Sequence, residues 1–296
     1  MRKLIINEKY NNKKIVNVLL YNFNGLSSSL VYKTLRKKDI KLNGNRIKDN
    51  VSVFSGDVLE IFIDDKYLYK QLSLNIVYED ENIVIVNKPK NIEVINNNND
   101  CLTYLLQSAY KNLEENFPYP CHRLDRNTYG LVIFAKNKTS LDILNNKFNN
   151  GEINKFYKCT VIGILDKKQD TLKDYLFKDN KKSMVYISKI KKIGYREIIT
   201  SYRVISEDKK NNLSTLEVEL HTGRTHQIRA HLAYIGHPIL GDGKYGNNLV
   251  NKKFKKQTQE LCSYKIKFNF KTDSGILNYL NQKEIKINCN LCEWFI

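Results

Sequence analysis

The stretch Leu131–Ala135, LVIFA, is an unbroken apolar run between polar segments. A short run of this kind reads as a buried strand, so whatever the chain folds into must pack a core around it. Directly before it, PCHRLDRNTYG places Asp125 two residues after Arg123 and one before Arg126. Surface ion pairs contribute only about 0–1 kcal/mol, so stability is a poor reason to hold a carboxylate between two guanidinium groups at the mouth of a buried strand. A carboxylate kept ionised beside cations can instead serve as a nucleophile or a base.

Length and composition bound the alternatives. A chain of 296 residues makes one large domain or two smaller ones, and 42% hydrophobic with 27% charged residues is ordinary for a protein with a core. The net charge of +18 is not ordinary and favours a polyanionic partner, nucleic acid first and an anionic membrane surface second. No apolar run approaches the roughly 20 residues needed to span a bilayer. The N-terminus MRKLIINEKYNNKK lacks the apolar centre of a signal peptide, which places the expected protein in the cytoplasm, away from membranes. Six cysteines are scattered, and only Cys289 and Cys292 have CxxC spacing, with no second pair to complete a zinc site. Reduced, unreactive thiols are the expectation.

The N-terminal part has its own logic. Ser27–Ser29 can cap a short helix that turns Leu30, Val31 and Leu35 inward and shows Lys33, Arg36, Lys37 and Lys38 outward. IKLNGNRI is a strand, an Asn-Gly turn and a returning strand, and SGD turns into the strand VLEIFI. Lys33, Arg36, Lys37, Lys38, Lys41, Arg46 and Lys48 face a single acid, Asp39, within residues 31–48. A basic helix beside a hairpin is either a solvated face or an RNA-binding module, and the module is the better reading. Residues 12–63 resemble the RNA-binding domain named for the fourth protein of the small ribosomal subunit, through the basic helix, LNGNRIK and the terminal GDVLEI. The expected organisation is an RNA-binding domain over 1–65, a linker over 66–74 and a larger domain over 75–296.

The larger domain opens with strand, acidic turn and strand in NIVYEDENIVIVNKP. A polar loop at 96–100, a helix over Leu102–Ala109 and a helix near Ser140–Asn149 ended by Gly151 follow. NKFYKCTVIG alternates as a strand with Tyr157, Cys159 and Val161 on one side, and TLEVEL is another strand. In LHTGRTHQIRAHLAYIGHPILGDGKYG, Thr225 can cap a helix packed through Ile228, Leu232 and Ile235 and closed by Gly236 and Pro238. His221, His226, His231 and His237 lie here, but without HExxH spacing or an intervening acid, so no metal is expected. Backbone or phosphate contacts suit them better. Arg224 and Arg229 carry planar five-donor forks suited to a carboxylate or phosphate, and Asp125 is the natural partner for an arginine on a buried helix. A structural ion pair and a catalytic pair are equally compatible with composition alone.

HRLDRNTYGLVIFAKN resembles the signature of the RluA/RluD family of RNA pseudouridine synthases. KFYKCTVIG is similar to that family's second motif, the histidine-rich stretch to its third, and VNKP to the opening of its catalytic domain. The resemblance spans about Asn75–Gly246. It implies an α+β fold with a mixed, mainly antiparallel sheet, flanking helices and a central cleft, preceded by a small α/β RNA-binding domain. It also implies roles: Asp125 as the catalytic aspartate, Tyr157 as the ring that stacks on the base and takes the carbon-5 proton, and Arg229 as the partner of the aspartate. Arg123 matches the arginine that enters the RNA stack where the uridine leaves it.

RNA-binding is expected at Arg123, Arg224, His226, Lys33, Arg36, Lys37, Lys38 and Arg46. The reaction isomerises a base without redox change, so no cofactor is expected, and a carboxylate can attack the sugar carbon or take a sugar proton. The expected partner is RNA, ribosomal first and transfer RNA second, with a monomeric enzyme. A non-catalytic RNA-binding or ribosome-assembly protein is the alternative class; a carboxylate hydrolase lacks a second acid near the motifs. Four positions depart from the family pattern: Tyr129 in place of Ser, Asn91 in place of Gly, and Cys262-Ser263 where the family has His-Ala.

Overall fold

The computed structural model describes residues 1–23, 25–68, 74–96, 101–110, 113–114 and 117–289. Cys292 and most of the expected polar loop and linker lie outside them. Two compact units emerge, Met1–Ser73 and Leu74–Ile95 with Cys101–Ile296.

In the first unit, helices Ile15–Asn22 and Ser28–Arg36 pack with a four-stranded sheet in the order Arg2–Ile5, Val58–Ile61, Ile40–Leu42, Asn45–Arg46. The Ser27 hydroxyl accepts from the Leu30 amide, so the second helix starts where its cap dictates. Asn43 and Gly44 both take positive φ, +50° and +82°, which is what a two-residue hairpin turn of matching twist requires. Val31, Leu35, Ile40, Leu59 and Ile61 form the core, leaving Lys33, Arg36, Lys37, Lys38 and Arg46 exposed. Leu68 is also buried in this core, and its carbonyl accepts from Gly25. The first unit therefore runs past residue 65, and the expected linker starts too early.

The second unit is built on one large sheet. Its main path runs Met184–Ser188, Gln169–Asp179, Arg196–Asp208, Leu213–Leu220, Ile153–Ile162, Leu261–Phe268, Tyr129–Ala135, Ile83–Lys88, Ile76–Glu79. All named neighbours are antiparallel except Tyr129–Ala135 beside Leu261–Phe268, which is parallel. The fold is α+β with a mixed, mainly antiparallel sheet. Leu131–Ala135 is fully buried, with Leu131, Ile133 and Ala135 packed against Ile83, Ile85, Leu144, Ile266 and Phe268. The helix Leu102–Ala109 has the bounds its apolar spacing predicts, and Lys138–Asn149 begins two residues before its expected start because Asn137 caps it.

One expectation about cysteine is overturned: Cys262 and Cys289 are disulfide-bonded. Lys265 pairs with Lys286 across the antiparallel strands Leu261–Phe268 and Glu284–Lys286. Continuing that register by three residues sets Cys262 opposite Cys289, with their Cα atoms 6.7 Å apart. Cys101, Cys121 and Cys159 are free, and burial pushes the Cys121 thiol up to about 12 and Cys159 up as well. Among the described residues no helix is long and apolar enough to cross a membrane.

Candidate active site

Asp125 sits in a loop that is anchored at both ends. At its start, His122 Nε2 accepts the Ile133 amide at 3.1 Å, and the ring packs against Phe148. Burial pushes this imidazole down to about 3, so it stays neutral and able to accept. At its end, the fully buried Lys88 ammonium donates to three carbonyls: Pro89 at 2.9 Å, Ile92 at 2.8 Å and Arg126 at 3.0 Å. Burial pulls the Lys88 pKa down to about 7, with Asp125 and Glu93 opposing the shift. The turn itself closes from the Thr128 amide to the Asp125 carbonyl. VNKP and HRLDRN, distant in sequence, thus shape one loop. Asn91 has φ +67°, the left-handed region that Gly prefers and Asn tolerates, which reconciles it with the glycine of the family pattern.

Arg229 comes from the helix Gln227–Tyr234 and reaches Asp125 Oδ2 through Nη1 at 2.9 Å. Its other donors grip Asp242, Nε to Oδ2 at 2.6 Å and Nη2 to Oδ1 at 2.9 Å. Asp242 is fully buried and accepts the amides of Lys244 and Tyr245 as well. Burial alone would disfavour the Arg229 cation, but Asp242 and then Asp125 outweigh it and raise its pKa further. Asp242 is held down by the same pairing against its own burial. The guanidinium therefore presents one fixed, charged N–H edge to Asp125. Sequence reasoning missed Asp242, although the motif that contains it was in view.

The helix does not begin as expected. His226, not Thr225, is the cap residue, in left-handed conformation at φ +53° and without a side-chain cap bond. Gln227 does the tying: its Oε1 accepts from the Arg224 amide and the Thr222 hydroxyl, and its Nε2 donates to Ile199 and Thr200. That frees His226 to bond Tyr245 through Nδ1 at 2.9 Å and to stand 4.0 Å from Asp125. Burial lowers the His226 pKa, with Asp125 opposing. His231 is buried between Asp174 at 2.9 Å and Thr200 at 3.0 Å, while His221 bonds Ser201 and His237 the Ile162 carbonyl. Among the described residues no cluster of His, Cys, Asp or Glu is arranged to hold a metal ion.

Tyr157 projects from the strand Ile153–Ile162, buried and paired in register with Ser263. Burial raises its pKa, the Ser263 hydroxyl opposes, and the charge of Asp125 adds to the rise, so the phenol is neutral. Tyr129 stands under the Lys90 ammonium, 5.3 Å from its ring centroid. Asp125, Tyr157, Arg229, Arg123, Arg224 and His226 all line one cleft of about 430 Å³. Arg123 and Arg224 are exposed at its rim. Lys33, Arg36, Lys37, Lys38 and Arg46 belong to the first unit.

A carboxylate beside a fixed guanidinium and a buried phenol can handle a sugar carbon and a base proton in one cavity. Residues 82–234 match the family model described as RNA pseudouridylate synthase. An uncharacterized RNA pseudouridine synthase of Mycoplasma capricolum is 34% identical over 309 aligned positions, 96% of this chain and 97% of the relative. The ribosomal large subunit pseudouridine synthase C of Haemophilus influenzae is 31% identical, across 88% of this chain and 83% of that protein. Among solved structures, human RNA Pseudouridylate Synthase Domain Containing 1 shares the fold, with a TM-score of 0.59 at 20% identity over 73% of this chain and 83% of that one. The chain belongs to the RNA pseudouridylate synthase family and is an isomerase that converts uridine in RNA to pseudouridine.

Proposed function

We propose that this enzyme modifies uridine in large-subunit ribosomal RNA, with Asp125 as the catalytic carboxylate. The observation that carries the assignment is the 2.9 Å contact from Arg229 to Asp125 in a cleft that also holds Tyr157. The reaction breaks the bond from uracil N1 to the sugar and forms one from carbon 5; the carbon-5 proton leaves and N1 gains one. Asp125 either attacks the sugar carbon or removes a sugar proton, and Arg229 keeps it aimed. Tyr157 stacks on the extruded base. Being neutral, its hydroxyl takes the carbon-5 proton only as it passes its own proton on. No redox change occurs, so the chemistry needs no cofactor.

Arg123, Arg224 and His226 contact RNA around the cleft, and Arg123 fills the stack that the uridine leaves. The first unit is an RNA-binding domain whose exposed Lys33, Arg36, Lys37, Lys38 and Arg46 meet phosphates. The ribosomal substrate rests on the relative from Haemophilus influenzae, whose name states that target. The enzyme acts in the cytoplasm as a monomer.

The test is Asp125→Asn. It keeps shape and removes charge, so pseudouridine formation should fall by at least about a thousandfold while RNA affinity changes little. Pseudouridine mapping in ribosomal RNA from cells with and without the gene locates the site. Substantial turnover by the purified variant would remove Asp125 from the chemistry, and an unchanged ribosomal map would remove the substrate.

A further inference from the structure

Lys155 is a cation in the cleft that the reaction scheme leaves without work. It lies two residues before Tyr157 on a strand whose pairing with Leu213–Leu220 has no register shift, so both side chains share a face. Both line the cleft. The ammonium sits 5.3 Å from the centroid of the Phe148 ring, and a Cβ added at Gly223 would come within 3.4 Å of it. Burial alone pulls its pKa down to about 8. The buried cations near the site are compensated, Arg229 by two carboxylates and Lys88 by three carbonyls. Among the described residues no carboxylate forms an ion pair with Lys155.

A partly desolvated ammonium without an acid is unfavourable unless its anion arrives with the ligand. The anionic groups of RNA are its phosphates. Two residues along a strand span about 7 Å, the order of the reach from a base to its neighbouring phosphate. We propose that Lys155 binds a phosphate flanking the target uridine and so fixes the strand where the extruded base meets Tyr157. The proposal rests on the pseudouridine synthase reading of this cleft. Lys155 is then a positioning residue, and the free enzyme carries the cost of its burial until RNA is bound.

The experiment reads binding without turnover, in the full chain carrying Asp125→Asn. The probe is a synthetic stem-loop with a single loop uridine, made with an ordinary phosphate or an uncharged methylphosphonate on either side of that uridine. Lys155→Met should weaken binding of the ordinary RNA about tenfold, while Lys155→Arg holds it within about threefold. One methylphosphonate should weaken the parent and the Arg variant by a similar factor and leave the Met variant nearly unchanged. Thermal melting shows that each variant is folded. The proposal is overturned if Lys155→Met binds like its parent, if Arg is as weak as Met, or if the methylphosphonate penalty persists in the Met variant at both positions. Absence of pseudouridine formation by the unmodified enzyme would sink the parent reading instead, because these binding measurements do not depend on turnover.

Discussion

At the scale of single residues, the proposed chemistry divides between a carboxylate aimed by a guanidinium and a phenol kept neutral by burial. The phenol invites a pair of substitutions. Tyr157→Phe keeps the stacking face and loses the hydroxyl; Tyr157→Leu loses both. If the hydroxyl moves the carbon-5 proton, the Phe enzyme should bind RNA normally, break the glycosidic bond and stall before product release. The Leu enzyme should be defective already in binding. Rapid-quench assays on a defined RNA separate these steps, and normal product formation by the Phe enzyme would take the hydroxyl out of the mechanism. The Asp125–Arg229 pairing was legible in the sequence because an arginine on a buried helix must have an acid. Asp242 was not, although the same argument reaches it: five donors on a buried fork are too many for one half-exposed carboxylate. Lys88 stayed hidden for another reason. Its partners are backbone carbonyls, which carry no sequence signal.

At the scale of elements, local signals were read well where local physics decides. The Asn43-Gly44 hairpin, the Ser27 cap and the helix Leu102–Ala109 all form from nearest-neighbour preferences. Thr225 failed as a cap because a tertiary network through Gln227 overrides that preference. Pairing between distant strands was invisible. Nothing in TYG or LCS announces that Tyr129–Ala135 and Leu261–Phe268 lie parallel and side by side. Their contact explains the glycine. Gly130 has φ +116°, and a Cβ there would sit 2.2 Å from the Ser263 carbonyl oxygen. Gly130→Ala should therefore destabilise the second unit by on the order of 3 kcal/mol, from backbone strain and overpacking together. Ser263 faces Tyr157 across the next pair, so activity should fall along with stability. A melting temperature within about 2 °C of the parent would show that the two strands can part cheaply.

At the scale of the whole molecule, charge and modularity make a joint prediction. Residues 1–73 carry 14 Lys+Arg and 7 Asp+Glu, a net of +7, which leaves +11 on the longer remainder. The first unit is thus the more basic per residue, and its cations gather on an exposed helix face and hairpin. The two units have separate hydrophobic cores, and Asp125, Tyr157 and Arg229 all belong to the second. Removing residues 1–73, rather than stopping at 65 and stranding Leu68, should leave that second core intact. RNA binding should weaken and depend less steeply on salt, because each lost phosphate contact takes about 0.7–0.9 from the logarithmic slope. A short stem-loop should still be modified when enzyme is abundant, since the cleft and its cations stay. Binding constants measured across a salt series for the full chain and the truncation, followed by turnover on the same RNA, give both answers. An unchanged slope would mean that Lys33, Arg36, Lys37, Lys38 and Arg46 form a solvated face and touch no phosphate.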